Sequence, residues 1–272
     1  MGSALLGVVL VIWSLLPIYN ILQIALDPEE GEIEFTGNIW PPAPSLESFE
    51  VVITQADRYL AHFWRQFANS LHIGLLTMVL TVLISSLASF AVGPTRLGHG
   101  SWLSGTALLT YAVPASFLVF PFVRLAHWYG LSDSAWAVIA AQTTFALPFA
   151  ILILQHHAKL IPIELDDSAR IDGASAPQGY LRIYLPLMSP ALLVVAIYAL
   201  VLAWNDYLYQ LVLLSSERQL TVAITQAQLF DDPDAAWNAM MAAAIIYVLP
   251  PIAIFFAAFR SFLRVKERAG PT

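Results

Sequence analysis

The stretch that decides the reading runs from Pro162 to Pro190, PIELDDSARIDGASAPQGYLRIYLPLMSP. It is a polar island between two long apolar runs. Pro162 suits a first helical turn, where a missing N–H costs nothing. Glu164, Asp166 and Asp167 follow, and carboxylates favour the positive N-terminal end of a helix. Gly173 closes the run, as glycine does where a helix stops in a left-handed conformation. Ser175 can cap a second helix with Pro177 just inside it. That helix passes through Tyr180, Arg182 and Tyr184 and meets Pro186. Two short helices joined by a tight turn are therefore predicted, wedged between membrane spans and shaped to dock on a soluble partner.

The flanking composition makes this a membrane protein. Of 272 residues, 58% are hydrophobic and 11% are charged, against about 25% charged in soluble domains. Six apolar runs are long enough to span, a bilayer needing about 20 residues. They cover residues 4–26, 68–92, 102–125, 134–154, 187–214 and 236–262. The first has no Lys or Arg before it and no small-residue cleavage site, so it reads as a retained helix rather than a signal peptide. Residues 27–67 form a polar segment with eight carboxylates (Asp27, Glu29, Glu30, Glu32, Glu34, Glu47, Glu50, Asp57) against Arg58 and Arg65. A short helix near Leu46–Ile53, capped by Ser45, is predicted within it.

Charge sets the orientation. With both termini inside, Arg96, Lys159, Arg170, Arg182, Arg260, Arg264, Lys266 and Arg268 are cytoplasmic; Arg58, Arg65, Arg124 and Arg218 are outside. Eight against four obeys the positive-inside rule. The expected class is an all-α integral membrane protein with six transmembrane helices and a cytoplasmic helix–turn–helix. Its parts are residues 1–26 as first helix, 27–67 as extracytoplasmic segment, 68–263 as membrane core containing the loop 158–186, and 264–272 as cytoplasmic tail.

Several chemistries are excluded or weak. A P-loop needs Lys before a hydroxyl residue; Lys159 precedes Leu160 and Lys266 precedes Glu267. Any ATPase is a separate chain. There is no cysteine, and neighbouring His156 and His157 point about 100° apart on a helix, which suits one ion poorly. Asp231-Asp232-Pro233-Asp234 lacks the glycine and closing glutamate of a calcium loop. No basic stripe suggests nucleic acid, and no nucleophile–base pair suggests catalysis. No catalytic or metal residues are therefore expected. Mid-span charges, which a secondary transporter or channel would use for coupling ions, are nearly absent. That class remains the alternative.

The polar island resembles the coupling loop of ABC importer permeases: Glu-Ala-Ala, three residues, Gly, nine residues, Ile, any residue, Leu-Pro. Asp167-Ser168-Ala169 takes the first place, Gly173 stands in register, and Ile183, Leu185 and Pro186 close the pattern. Asn69-Ser70, Phe145-Ala146-Leu147-Pro148 and Trp204-Asn205-Asp206 resemble maltose-type carbohydrate permeases, whereas the ending VKERAGPT departs from their Gly-rich tail. The resemblance implies ATPase-coupling residues at Glu164, Asp167, Ser168, Ala169, Arg170, Asp172, Gly173, Ala174, Ile183, Leu185 and Pro186. It implies a substrate path near Trp204, Asn205, Asp206 and Tyr207, where the bland alternative is an interfacial aromatic belt. The partners implied are a second permease subunit forming a heterodimer, two copies of a nucleotide-binding ATPase carrying ATP and Mg, and an extracytoplasmic solute-binding protein. Membrane lipids surround the chain, no nucleic acid is bound, and no cofactor sits in this chain. The location implied is a bacterial or archaeal cell membrane. The function implied is a permease subunit for ATP-driven carbohydrate import.

Overall fold

The computed structural model describes residues 2–28, 40–92, 105, 109–230, 232 and 235–268, and all regular structure among them is helical. In chain order α1 is Gly2–Ala25, α2 Glu47–Thr54, α3 Phe63–Ala91, α4 Val119–Trp128 and α5 Ala135–Ala158. Then come α6 Ile163–Ile171, α7 Ala176–Gly179, α8 Leu185–Asn205, α9 Leu208–Leu213, α10 Val222–Leu229 and α11 Trp237–Arg268. Among the described residues, five helical stretches are long and apolar enough to cross a bilayer: Ala4–Ala25, Phe63–Ala91, Ala135–Ala158, Ala176–Asn205 and Trp237–Arg260. A shorter apolar stretch covers Ala115–Trp128.

Two predicted spans differ from expectation, for identifiable reasons. The third was expected as one helix over 102–125; residues 102–104 and 106–108 lie outside the described residues. The rest is broken into a 3₁₀ turn Leu109–Ala112, a second 3₁₀ turn Ala115–Leu118, and α4. Pro114 sits between them in an extended conformation, φ −56° and ψ 134°. It removes one N–H and drives Val113 out of the helical region. The fifth was expected to run unbroken over 187–214. Instead α8 ends at Asn205, Asp206 turns extended (φ −74°, ψ 124°), and α9 starts again at Leu208.

The chain forms two compact units, residues 1–68 with 221–250, and 69–220 with 251–272. In the first, Ala25, Val52, Leu60, Phe63, Val222, Ala239, Ala242 and Ala243 make a buried core. Ser45 receives the Glu47 N–H at 3.1 Å, so α2 begins one residue later than predicted. The Tyr59 hydroxyl donates to Asp232 at 2.5 Å and tethers the acidic segment to residue 232. The α1 spanning window is not covered by the chain's own described residues, as suits a helix facing lipid or another chain.

In the second unit Ala150, Leu154, Tyr184, Met188, Ala191 and Val195 are packed together, with Val82, Phe90 and Tyr180 against them. On α3, Thr77, Thr81, Ser85 and Ser89 recur every four residues and are fully buried. Small and hydroxyl side chains let helices approach closely in a membrane, where lipid offers no hydrophobic drive for association. Gly74 on the same helix shows how close: a Cβ there would lie 3.2 Å from both Leu200 and Trp204. Outside the spans, Asp133 adopts φ +53°. It accepts backbone N–H groups from Ser215 (2.8 Å) and Ser216 (3.0 Å). Burial pushes its carboxyl pKa up, but the hydrogen bonds from Ser216 and Ser215 outweigh this and hold it below its ordinary value.

Candidate functional site

Two places gather the predicted site residues. The first is the island between α5 and α8. Pro162 lies immediately before α6 rather than inside it, with φ −59° and ψ 132°. α6 ends through a double closure. The Gly173 N–H reaches the Arg170 carbonyl at 3.0 Å, and the Ala174 N–H reaches Ala169 at 2.9 Å. That pattern needs a left-handed residue just after the helix, and Gly173 has φ +76°. Ser175 then begins α7, its N–H donating to the Gln178 side chain at 2.8 Å, half of a capping box.

Glu164, Asp167, Ser168, Arg170, Asp172 and Gly173 are exposed; Ala169 and Ala174 are half-exposed. Ser168 bonds back to the Glu164 carbonyl at 2.6 Å. Two apolar residues that sequence reasoning passed over stand out beside them: Ile171 is 86% exposed and Leu165 43%. Apolar side chains held out from a polar helix are the kind that anchor an interface. Their signal in the sequence was present, as large apolar residues inside an otherwise polar run.

Ile183, Leu185 and Pro186 do not share that surface. Tyr180–Tyr184 forms a π turn that joins α7 to α8, so the second short helix does not stop at Pro186 but continues into the membrane span. Proline normally clashes with the carbonyl four residues back. For Pro186 that carbonyl belongs to Arg182, inside the widened turn. Ile183 and Leu185 are half-buried, and Leu185 packs on the Ala150–Val195 core.

The second place is the break at Asp206. Its Oδ2 accepts from Gln142 Nε2 at 3.0 Å. Gln142 Oε1 in turn accepts from Thr77 at 3.1 Å. Asp206 Oδ1 lies 3.4 Å from the Tyr209 N–H. Gln210 Nε2 donates to the carbonyls of Ala203 (3.2 Å) and Asp206 (2.5 Å), which the break leaves without helical partners. Thr77, Gln142 and Gln210 are buried and were absent from the predicted site; a glutamine inside an apolar span was the available clue. The four predicted path residues part company here. Trp204 is buried against Gly74, Asp206 is engaged by Gln142, and Asn205 and Tyr207 are exposed.

Nearby on the same unit lies an aromatic face. The Tyr111 hydroxyl donates to the Phe145 carbonyl at 2.6 Å and lies 3.3 Å from that of Tyr198. The Tyr198 and Phe149 rings are 4.9 Å apart.

A family described as the binding-protein-dependent transport system inner membrane component matches residues 73–265, spanning the island, the break and four of the five long helices in whole or part. The chain belongs to this family. It is a multi-pass membrane permease subunit, working with a binding protein and not itself catalytic. Among its relatives is the inner membrane ABC transporter permease protein YcjP of Escherichia coli. It is 28% identical over 257 residues, covering 94% of this chain and 90% of the relative. The trehalose transport system permease protein SugB of Mycobacterium tuberculosis is 29% identical over 262 residues, 94% of this permease and 92% of the relative. In overall fold the permease is similar to a chain of a bacterial ABC transporter that imports the acidic polysaccharide alginate. The TM-score is 0.78 at 19% identity, over 96% of this chain and 95% of that one.

Proposed function

We propose that this permease is half of the translocation path of an ATP-driven carbohydrate importer and takes its power stroke through residues 163–175. The observation that carries the reading is the exposed α6 helix, projecting between two spans. Its end is fixed by Gly173, and its apolar Ile171 is held out from the helix, 86% exposed. A separate ATPase would receive this helix in a groove, with ATP and Mg bound on that chain. Two ATPase copies, a second permease subunit in a heterodimer and an extracytoplasmic solute-binding protein complete the assembly. Both termini lie in the cytoplasm in this reading.

Carbohydrate is supported by the relatives. Besides the trehalose protein they include an α-glucoside transport permease of Rhizobium meliloti. The exposed rings of Tyr111 and Phe149 and the half-buried ring of Tyr198, with hydroxyls beside them, suit a sugar's mixed apolar faces and hydroxyl edges. In this reading they line the path together with Asn205 and Tyr207.

Two measurements test the reading. Cysteines placed singly at Glu50 and Glu164, in a chain that has none of its own, should label from opposite membrane faces; labelling from one face would end the topology. Ile171→Asp should leave insertion intact and cut ATPase co-purification about tenfold or more, as loss of an apolar anchor does. Full ATPase recovery would overturn the docking assignment.

A further inference from the structure

A feature that the coupling pattern does not include lies where α7 meets α8. The Tyr180 hydroxyl is 2.7 Å from the Ser86 hydroxyl on α3. Ser86 already donates its single proton to the Leu83 carbonyl at 3.0 Å, so Tyr180 is the donor and Ser86 the acceptor. Ser86 is 1% exposed, and a buried hydroxyl in a membrane has no water to replace a lost partner. The rings close the same junction: Phe90 of α3 lies 5.1 Å from both Tyr180 and Tyr184, and those two stack at 5.9 Å.

The chain on one side of this tie is stiff. From Gly173 to Tyr180 there are only seven steps, held by the double closure of α6 and by the Ser175–Gln178 cap. On the other side is the π turn Tyr180–Tyr184. A π turn has a poorer hydrogen-bond ladder than an α-helix and recurs at functional sites. Movement of α6 therefore meets a rigid lever, a soft turn into α8, and a lateral bond to α3 at the point where the lever ends.

We propose that Tyr180 is a positioning residue, its bond to Ser86 making α3 move as one with residues 163–179 when the ATPase moves them. This rests on the docking reading above. Without the bond the stroke would reach α8 alone, through the soft turn. The tie keeps α3, which packs Gly74 against Trp204 and bonds Thr77 to the glutamine that engages Asp206, in step with the island.

The test uses the complex of this chain with its second permease and ATPase. Spin labels go on cysteines at exposed Leu87 of α3 and exposed Ala176 of α7, outside the docking segment, and distances are read before and after ATP, Mg²⁺ and vanadate. With the native tie, one narrow distribution should persist in both states. Tyr180→Phe keeps the ring and removes only the hydroxyl; Ser86→Ala removes the acceptor together with the local bond to the Leu83 carbonyl within α3. Each should broaden the nucleotide-bound distribution roughly twofold, and the double variant no further, because the Tyr180–Ser86 bond between helices is absent in all three. ATPase co-purification should match wild type throughout. Narrow wild-type-like distributions in both single variants would overturn the proposal. So would a double variant broader than either single one, or a native pair that separates on adding nucleotide. Retention of the ATPase by Ile171→Asp would instead remove the docking reading, a result the Tyr180 and Ser86 measurements do not share.

Discussion

The chain interrupts a helix twice within 35 residues, at 172–175 and at 206–207, and builds the two interruptions from opposite materials. The first is made by neighbours in sequence: a left-handed glycine, two short backbone closures and a serine–glutamine cap, all open to solvent. The second is made across the fold. A carboxylate is engaged by a glutamine 64 positions earlier, and that glutamine by a threonine 65 positions earlier still. In water a helix end finds partners anywhere, so local caps suffice. Inside an apolar span each freed N–H and carbonyl must be met by protein; here Gln210 meets the Ala203 and Asp206 carbonyls, and Asp206, held by Gln142, meets the Tyr209 N–H.

Substitutions can break each interruption separately. The largest effect is expected at Gly173, on function rather than stability. A Cβ there meets nothing within 4 Å, so the cost of Gly173→Val comes from φ +76° alone. About 1–2 kcal/mol of backbone strain is a factor of roughly 5–30 in the population holding the native turn. Gly130 provides a matched control, with φ +69° and equally open space. Gly130→Val carries the same strain outside the island. ATPase co-purification should fall several-fold in Gly173→Val and stay near wild type in Gly130→Val, with both chains reaching the membrane. Equal losses would make the turn an ordinary structural glycine.

The same contrast explains what could be read in advance. Pro162, Gly173 and Ser175 act within a few residues of themselves, and their roles follow from backbone chemistry that any sequence displays. The end of the fifth span could not be placed this way. Asp206 looked like a polar residue near a membrane surface, because the glutamine that engages it lies on α5, itself held by a threonine on α3. The π turn was equally hidden: Pro186 promised a helix boundary, and only packing of Tyr180 and Tyr184 on Phe90 shows why the helix runs on. Pro114 and Pro121 were visible inside the third span, but their consequences differ. Pro121 falls in the first turn of α4, where its missing N–H costs little, whereas Pro114 separates two 3₁₀ turns.

At the second interruption the effect should appear in stability first. Asp206→Ala leaves the buried Gln142 amide without its acceptor, and an unmade buried hydrogen bond costs about 1–3 kcal/mol. Thermal unfolding in detergent should shift down by roughly 2–10 °C. Asp206→Asn keeps an acceptor for Gln142 and should recover most of that loss. An unchanged midpoint in Asp206→Ala would mean that the break is held by Gln210 and the backbone alone, bringing it closer in kind to the turn at Gly173.

The smallest effect separates charge from shape at a third turn, between α4 and α5. Asp133 is left-handed, like Gly173, yet acts across the fold, like Asp206, by accepting N–H groups from Ser215 and Ser216. Asparagine tolerates the left-handed region and retains an acceptor oxygen, so Asp133→Asn removes little beyond the negative charge. The carboxyl pKa is lower folded than unfolded. Its stabilisation is therefore complete above the unfolded value of about 3.9, and is lost as pH falls through the folded value. Wild type should melt above Asp133→Asn at pH 7 by roughly 2 °C or less, since the site is only half-buried. The gap should close below about pH 4. A gap that persisted or widened in acid would show that the carboxylate charge contributes nothing at this turn, leaving its geometry as the whole of its role.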